Sequence, residues 1–501
     1  MRAWTHPRVV TMLFFGFSAG VPILLIFSSL SLWLREAGVS RTAVTFFSWA
    51  ALGYSFKFIW APLIDTLPLP ILTKKLGRRR SWLLLAQLAV ISAICTMALT
   101  DPAGGQHNLI IMALAAVMLG FSSATQDIVI DAYRIECAEE ELQALLASTY
   151  IAGYRIGMLA AGAGALYLAS WFGTNRETYN YLAWQYSYFA MAGIMLIGVA
   201  TTLLIPEPET TKKKFAYSAS HYMRFILLFI CSAEAFAAVF FLSSSFVANL
   251  IESINTIFAG HSTFISFAIE TGRLLLASFC AIAVALSLVL LKIVDHGMVR
   301  QTYINPVADF FSRYRVRTAL LLLALIGLYR ISDIVLGVIS NVFYQDLGFS
   351  KQVIASVIKT FGLFMTLAGG FLGGVLTLRY GIIRILFLGA LLSSITNLLF
   401  LMLAAIGDNI TVLTIVIAAD NLSAGIATTA FVAFLSSLTN ISFTAVQYAI
   451  FSSLMTLLPK LIGGYSGTMV TTWGYEWFFL ATTLMGGPVL VLIWLAGRRL
   501  K

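Results

Sequence analysis

Apolar runs of about 20 residues recur along the whole chain, and this limits the fold more than any other feature. About 20 helical residues are what a hydrocarbon layer of about 30 Å demands. The runs cover residues 10–34, 43–65, 82–100, 109–133, 143–171 and 183–205, then 223–249 and 268–292, then 318–344, 352–377, 383–405, 410–437, 445–472 and 475–497. The chain is 59% hydrophobic and 11% charged, with mean hydropathy +0.90. Soluble domains carry about 25% charged residues, so the solvent here is lipid. The reading is an all-α integral membrane protein of about fourteen spans. Residues 1–208 form a first six-helix bundle. Residues 209–305 form a cytoplasmic linker with two extra membrane helices, and residues 306–501 a second six-helix bundle. The first run follows Arg2 and Arg8 but is too long for a signal peptide, so it reads as the first span.

Sidedness follows from the connections. With the N-terminus inside, the inner segments hold 22 Lys and Arg residues, among them Lys74, Lys75, Arg78, Arg79, Arg80, Lys212–Lys214, Arg379, Arg384, Arg498 and Arg499. The outer segments hold five: Arg35, Arg41, Arg176, Arg273 and Lys351. Cations concentrate in cytoplasmic loops, and an even span count places the C-terminus inside as well. The net charge of +10 is therefore topology and does not indicate a nucleic-acid partner. Cys95, Cys137, Cys231 and Cys280 are scattered in apolar contexts, which indicates neither a disulfide framework nor a zinc site. There is no glycine-rich phosphate loop, metal-ligand spacing or nucleotide domain. The expectation is no cofactor and no enzymatic activity.

Nine charges interrupt the spans: Lys57, Asp127, Asp131, Arg155, Arg330, Asp333, Lys359, Asp420 and Lys460. Each costs about 2.5–3.5 kcal/mol at the bilayer centre on insertion scales. They must face one another, or a wet cavity, within a helical bundle. Two sets of six spans suggest an internal duplication with a site between the halves near the midplane. The fourth span of each half carries an acid (Asp127, Asp420), the second a lysine (Lys57, Lys359) and the fifth a cation (Arg155, Lys460). Asp127 and Asp131 share a helix face. Two close carboxylates suit proton carriage, or Asp131 simply pairs with Arg134. Arg330 and Asp333 pair with each other or line the path. Glycine spacings such as Gly16/Gly20, Gly153/Gly157, Gly369/Gly373 and Gly370/Gly374 let helices approach closely. Glu234 lies in the first extra span and reads as structural.

Asp65 followed by Leu76-Gly77-Arg78-Arg79-Arg80 resembles the signature of the major facilitator superfamily in the connection between spans two and three. Further strings resemble the AmpG-type muropeptide permeases within it. They are Lys57-Phe58-Ile59-Trp60-Ala61-Pro62-Leu63-Ile64-Asp65, Gln126-Asp127-Ile128, Gly153-Tyr154-Arg155-Ile156-Gly157-Met158, Asp420-Asn421-Leu422, Thr429-Ala430-Phe431-Val432-Ala433 and Phe443-Thr444-Ala445-Val446-Gln447-Tyr448. The resemblance implies a secondary transporter that imports N-acetylglucosaminyl-1,6-anhydro-N-acetylmuramyl peptides from periplasm to cytoplasm, driven by protons, across the bacterial inner membrane. It departs from the family in carrying its extra pair of spans between the halves.

On this reading Asp127, Asp420, Asp131 and Asp333 couple protons. Arg155, Lys57, Arg330, Lys359, Lys460, Gln126, Tyr154, Asn421 and Gln447 line the substrate path, with cations meeting peptide carboxylates and Arg offering a bidentate fork. Asn341 is a further candidate hydrogen-bond partner for sugar. Asp65, Gly77, Arg78 and Arg79 gate the cytoplasmic side. The partners are a small-molecule glycopeptide or other large anion, protons and the lipid bilayer. The rivals are a carrier of another large anion such as an acetyl-CoA-like molecule, a non-transporting sensor of the same fold, and an integral-membrane enzyme.

Overall fold

The computed structural model describes residues 6–26, 28–39, 54, 56–139, 142–174, 178–208, 217–257, 262–350, 353–463 and 465–500. Among them the secondary structure is helical throughout. Thirteen helices are long and apolar enough to cross a membrane. The expected span 43–65 lies largely outside the described residues; its inner end appears as a 3-10 turn Lys57–Ile59 and helix α3 (Ala61–Thr66).

The chain divides into two compact units, residues 1–212 with 310–501 and residues 213–309. In the first unit, α1 (Pro7–Ile26) and α2 (Ser28–Glu36) make the first span. The short α4 (Leu72–Leu76) leads into α5 (Arg78–Ala98). They are followed by α6 (Gln106–Glu136), α7 (Gln143–Trp171), α8 (Tyr181–Ile194) and α9 (Leu196–Leu204). The second unit holds α10 (Ala219–Leu242), α11 (Ser244–Ile257) and α12 (Ser262–Leu290). There Arg273 donates to the Phe240 carbonyl at 2.6 and 2.9 Å and to Glu270 at 3.1 Å, pinning α12 to α10. Glu234 is exposed on α10.

The second half comprises α13 (Asn305–Leu328), α14 (Ile331–Asp346), α15 (Gly362–Tyr380), α16 (Ile382–Ile406), α17 (Ile410–Leu438), α18 (Thr444–Gly463) and α19 (Ser466–Arg499). Three expected spans turn out otherwise. The span 318–344 is broken at Tyr329–Arg330, between α13 and α14. The span 352–377 opens with a π-helical stretch, Ile354–Phe361, before α15. The span 445–472 ends earlier than hydropathy suggests, at Gly463, and α19 turns sharply at Gly474 (φ 81°).

Without a hydrophobic gradient between helices in lipid, close backbone approach supplies the attraction. The glycine pairs mark where this happens. A Cβ at Gly16 or Gly20 would strike the Tyr150 and Tyr154 carbonyls, and one at Gly153 or Gly157 the Leu13 and Phe17 carbonyls. α1 and α7 are thus interlocked backbone to backbone. In the second half Gly369 and Gly373 meet Leu422 and Ile426, while Gly425 meets Thr366, locking α15 to α17.

Candidate transport site

Residues 122–135 of α6 are buried without a break, although the stretch contains Gln126, Asp127, Asp131 and Arg134. Asp127 is 8% exposed, and its Oδ1 is shut from solvent without a hydrogen-bond partner. Lys57 and Asp131 lie within electrostatic reach of it, as do the phenols of Tyr54, Tyr150 and Tyr154. Asp131 is held from two sides, by Lys57 Nζ at 3.5 Å and Arg134 Nη2 at 3.4 Å. Lys57 is therefore a counter-ion within the first half. Gln126, one residue from Asp127 and so about 100° around the helix, accepts from the Ser18 hydroxyl at 3.2 Å. The structure uses it to join α6 to α1, and it is fully buried there.

The second half holds its own cluster around the break at Tyr329–Arg330. Interrupted helices at mid-membrane put backbone polar groups and charges beside a cavity. Arg330 Nε lies 3.9 Å from Asp333 Oδ2, and that nitrogen has no hydrogen-bond partner. Asp333 and Asp420 are within electrostatic reach of each other, and Thr396 Oγ1 lies 3.5 Å from Asp420 Oδ1. Tyr329 stacks on Phe431 at 4.2 Å and donates to the Leu386 carbonyl at 3.1 Å, fixing the break from behind. Arg155, on the first half, is exposed and lies within electrostatic reach of Arg330 on the second. Each half thus contributes one guanidinium to a shared electrostatic environment.

The other expected residues divide. Tyr154 is half-buried beside Arg155. Lys359 is exposed on the π-helical stretch, and Lys460 is exposed after Pro459 on α18. Asn421 accepts from Thr366 at 2.8 Å and donates to the Ile417 carbonyl at 3.0 Å, joining α17 to α15. Gln447 is 1% exposed, and its oxygen accepts from Arg313 at 3.0 Å and the Asn440 N–H at 2.8 Å. The structure therefore places Gln126, Asn421 and Gln447 in helix-to-helix contacts. The Asn341 side chain lies outside the described residues.

At the cytoplasmic end the halves are tied together. Arg79 donates to Asp65 Oδ1 at 2.6 Å and to Glu136 through Nε at 3.0 Å and Nη2 at 2.6 Å. Its Nη2 also reaches Thr444 Oγ1 of the second half at 2.8 Å, and the Thr444 hydroxyl donates to Glu136. Asp65 Oδ2 accepts from the Val446 N–H at 3.2 Å. One of the orphan amides at the N-terminus of α18 is thereby satisfied by an acid of the opposite half. Arg78 donates to the Asp65 carbonyl at 2.6 Å. Gly77 (φ 87°) leaves room for the Glu207 carboxylate, which accepts from the Arg79 and Arg80 N–H groups at 2.8 and 3.1 Å.

Deeper in, Arg134 donates to Ser436 at 3.0 Å and lies 5.1 Å from the Tyr448 ring centroid, while Ser148 donates to the Gly370 carbonyl at 3.0 Å. The halves are in direct contact on this side. Glu136, Glu207 and Thr444 were not singled out from sequence. Their signal was available: three arginines in one inner loop call for acids at the inner ends of neighbouring spans, and Glu136 and Glu207 stand there.

Two bundles of spans, buried charges in each and an arginine-centred tie across the inner ends define a class. The major facilitator superfamily profile matches residues 9–342, and the chain belongs to that superfamily. It is a transporter and not an enzyme. The fold agrees with solved members: FucP in the outward conformation (TM-score 0.63, 10% identity, 99% of each chain) and the proton:xylose symporter XylE (TM-score 0.60, 13% identity, 97% of this chain and 94% of that one). Within the class, the resemblance to AmpG-type permeases extends over nearly the whole chain. The putative transporter AmpG 4 of Rickettsia conorii is 29% identical over 97% of this chain and 95% of the relative. The anhydromuropeptide permease of Escherichia coli is 28% identical over 98% of this chain and 80% of the relative.

Proposed function

We propose that the chain imports anhydromuropeptides across the bacterial inner membrane by proton-coupled alternating access. The observation that carries this reading is the Arg155–Arg330 pair. Like charges within reach of each other repel, and the cost is largest in a low-dielectric cleft. A polyanion entering between them removes that cost, and the peptide carboxylates of a muropeptide supply the charge in a form that guanidinium forks can grip. The family relatives named as permeases of this substrate support the choice.

Coupling falls to the buried acids. Asp127 has an oxygen with no hydrogen-bond partner, so a proton on it requires no existing hydrogen bond to break. Asp420 and Asp333 provide a second site in the other half. Asp131, paired with both Lys57 and Arg134, serves as the link from Asp127 to the cytoplasmic tie. Substrate bound between the arginines would draw the halves together from outside as the inner tie releases.

The test is uptake of a radiolabelled anhydromuropeptide into proteoliposomes with and without an inward proton gradient. Accumulation above equilibrium only with the gradient is expected. Equal uptake in both conditions would remove proton coupling. No uptake, together with accumulation of another large anion, would replace the substrate.

A further inference from the structure

At the cytoplasmic end of the second half, the start of α16 and the end of α19 leave a groove of about 820 Å³. Its lining mixes Ile382, Ile383, Phe387 and Ile493 with Arg384, Trp494 and Arg498. The two helices touch nearby, since a Cβ at Gly497 would come within 3.0 Å of Ile383. Arg498 lies over the exposed Trp494, its guanidinium carbon 3.8 Å from the ring centroid. Arg379 lies 5.5 Å from the ring centroid of Tyr380, which also lines the groove.

Positive-inside topology accounts for arginines in these loops, but it does not account for a groove they share with an apolar wall. Nor are they neutralised: residues 377–407 and 477–501 contain no Asp or Glu. Among the described residues, none of Arg379, Arg384 and Arg498 forms an ion pair. The cation–π contact with the indole restrains the Arg498 side chain while leaving its donors available. A basic recess between membrane helices on the cytoplasmic side, with an aromatic at headgroup level, is complementary to a phosphate attached to acyl chains.

We propose that this groove holds the headgroup of an anionic phospholipid of the inner leaflet, its phosphate between Arg384 and Arg498 and its chains along the apolar wall. Each arginine near the surface is worth roughly fivefold in affinity for such a lipid, so the pair is worth roughly thirtyfold.

Native mass spectrometry of the full-length protein in detergent tests this by titration with phosphatidylglycerol, phosphatidylcholine or inorganic phosphate. The wild type should retain phosphatidylglycerol about thirtyfold more tightly than the Arg384→Ala/Arg498→Ala variant. The Arg384→Lys/Arg498→Lys variant should keep most of that preference, and excess inorganic phosphate should not displace the lipid. Equal retention by the alanine variant, or equal retention of phosphatidylcholine by the wild type, would overturn the site. Displacement by inorganic phosphate would overturn the lipid assignment in favour of a soluble phosphate.

Discussion

Thr444 is the smallest change that tests the cytoplasmic tie. Its hydroxyl accepts from Arg79 and donates to Glu136, and it is fully buried. Thr444→Val keeps the shape and removes both bonds. Arg79 and Glu136 remain paired with each other, so no lone ion is created in the closed state. Hydrogen bonds to charged groups contribute about 1.5–3 kcal/mol each. In the open state water takes over both partners, and valine there loses the hydroxyl's own hydration.

The net loss to the closed state is therefore about 2 kcal/mol, roughly thirtyfold in the closed-to-open ratio. A closed state favoured about a hundredfold would be favoured only about threefold. Lys74 and Ser442 are exposed on opposite halves at this end. Spin labels there, in a background with Cys95, Cys137, Cys231 and Cys280 changed to Ser, report the separation by pulsed electron–electron resonance. A second, longer-distance population holding roughly a quarter of the molecules is expected in the valine variant, set by that ratio. An unchanged distance distribution would show that the hydroxyl does not hold the halves together.

Asp127→Asn should abolish gradient-driven accumulation while leaving substrate exchange measurable; accumulation at the wild-type level would move the proton site to the second half. Arg155→Ala should raise the transport KM for a peptide-bearing substrate by about tenfold, the loss of one charge-assisted pair, with little change for the peptide-free sugar. An equal effect on both would take Arg155 off the carboxylate. Gly153→Val would force a side chain into the Leu13 carbonyl, and overpacking of this kind costs about 1–3 kcal/mol or more. A clear fall in Tm, read by a thermal shift assay in detergent, is expected, and an unaltered Tm would mean that α1 and α7 separate easily.

Much of the architecture was legible because lipid imposes a coarse rule that composition obeys. Run lengths matched the long apolar helices among the described residues, and Asp65 and Arg79 met as their spacing suggested. Hydropathy, however, reports burial and not the neighbour. Gln126 and Asp127 are both buried and one residue apart, yet the oxygen of one is paired to Ser18 while an oxygen of the other has no hydrogen-bond partner. Asn421 and Gln447 looked like cleft residues because they are polar, whereas their partners, Thr366 and Arg313, are set by helix packing that no local pattern encodes. The break at Tyr329–Arg330 was hidden for a related reason. Neither residue disfavours a helix, and the bend is fixed from outside by Leu386, Ala427 and Phe431.

The tie across the inner ends has an uneven division of labour. Arg79, Asp65 and Glu136 belong to the first half, as do Lys57, Asp131 and Arg134; the second half answers with the Thr444 and Ser436 hydroxyls, the Val446 amide and the Tyr448 ring. When the halves part, each of these ion pairs travels whole on one rigid body. The gate swings without pulling a cation from its anion, so no naked charge has to be rehydrated at the crest of the barrier. Its opening rate should accordingly depend only weakly on added salt, whereas a latch built from opposed charges on facing halves would respond strongly.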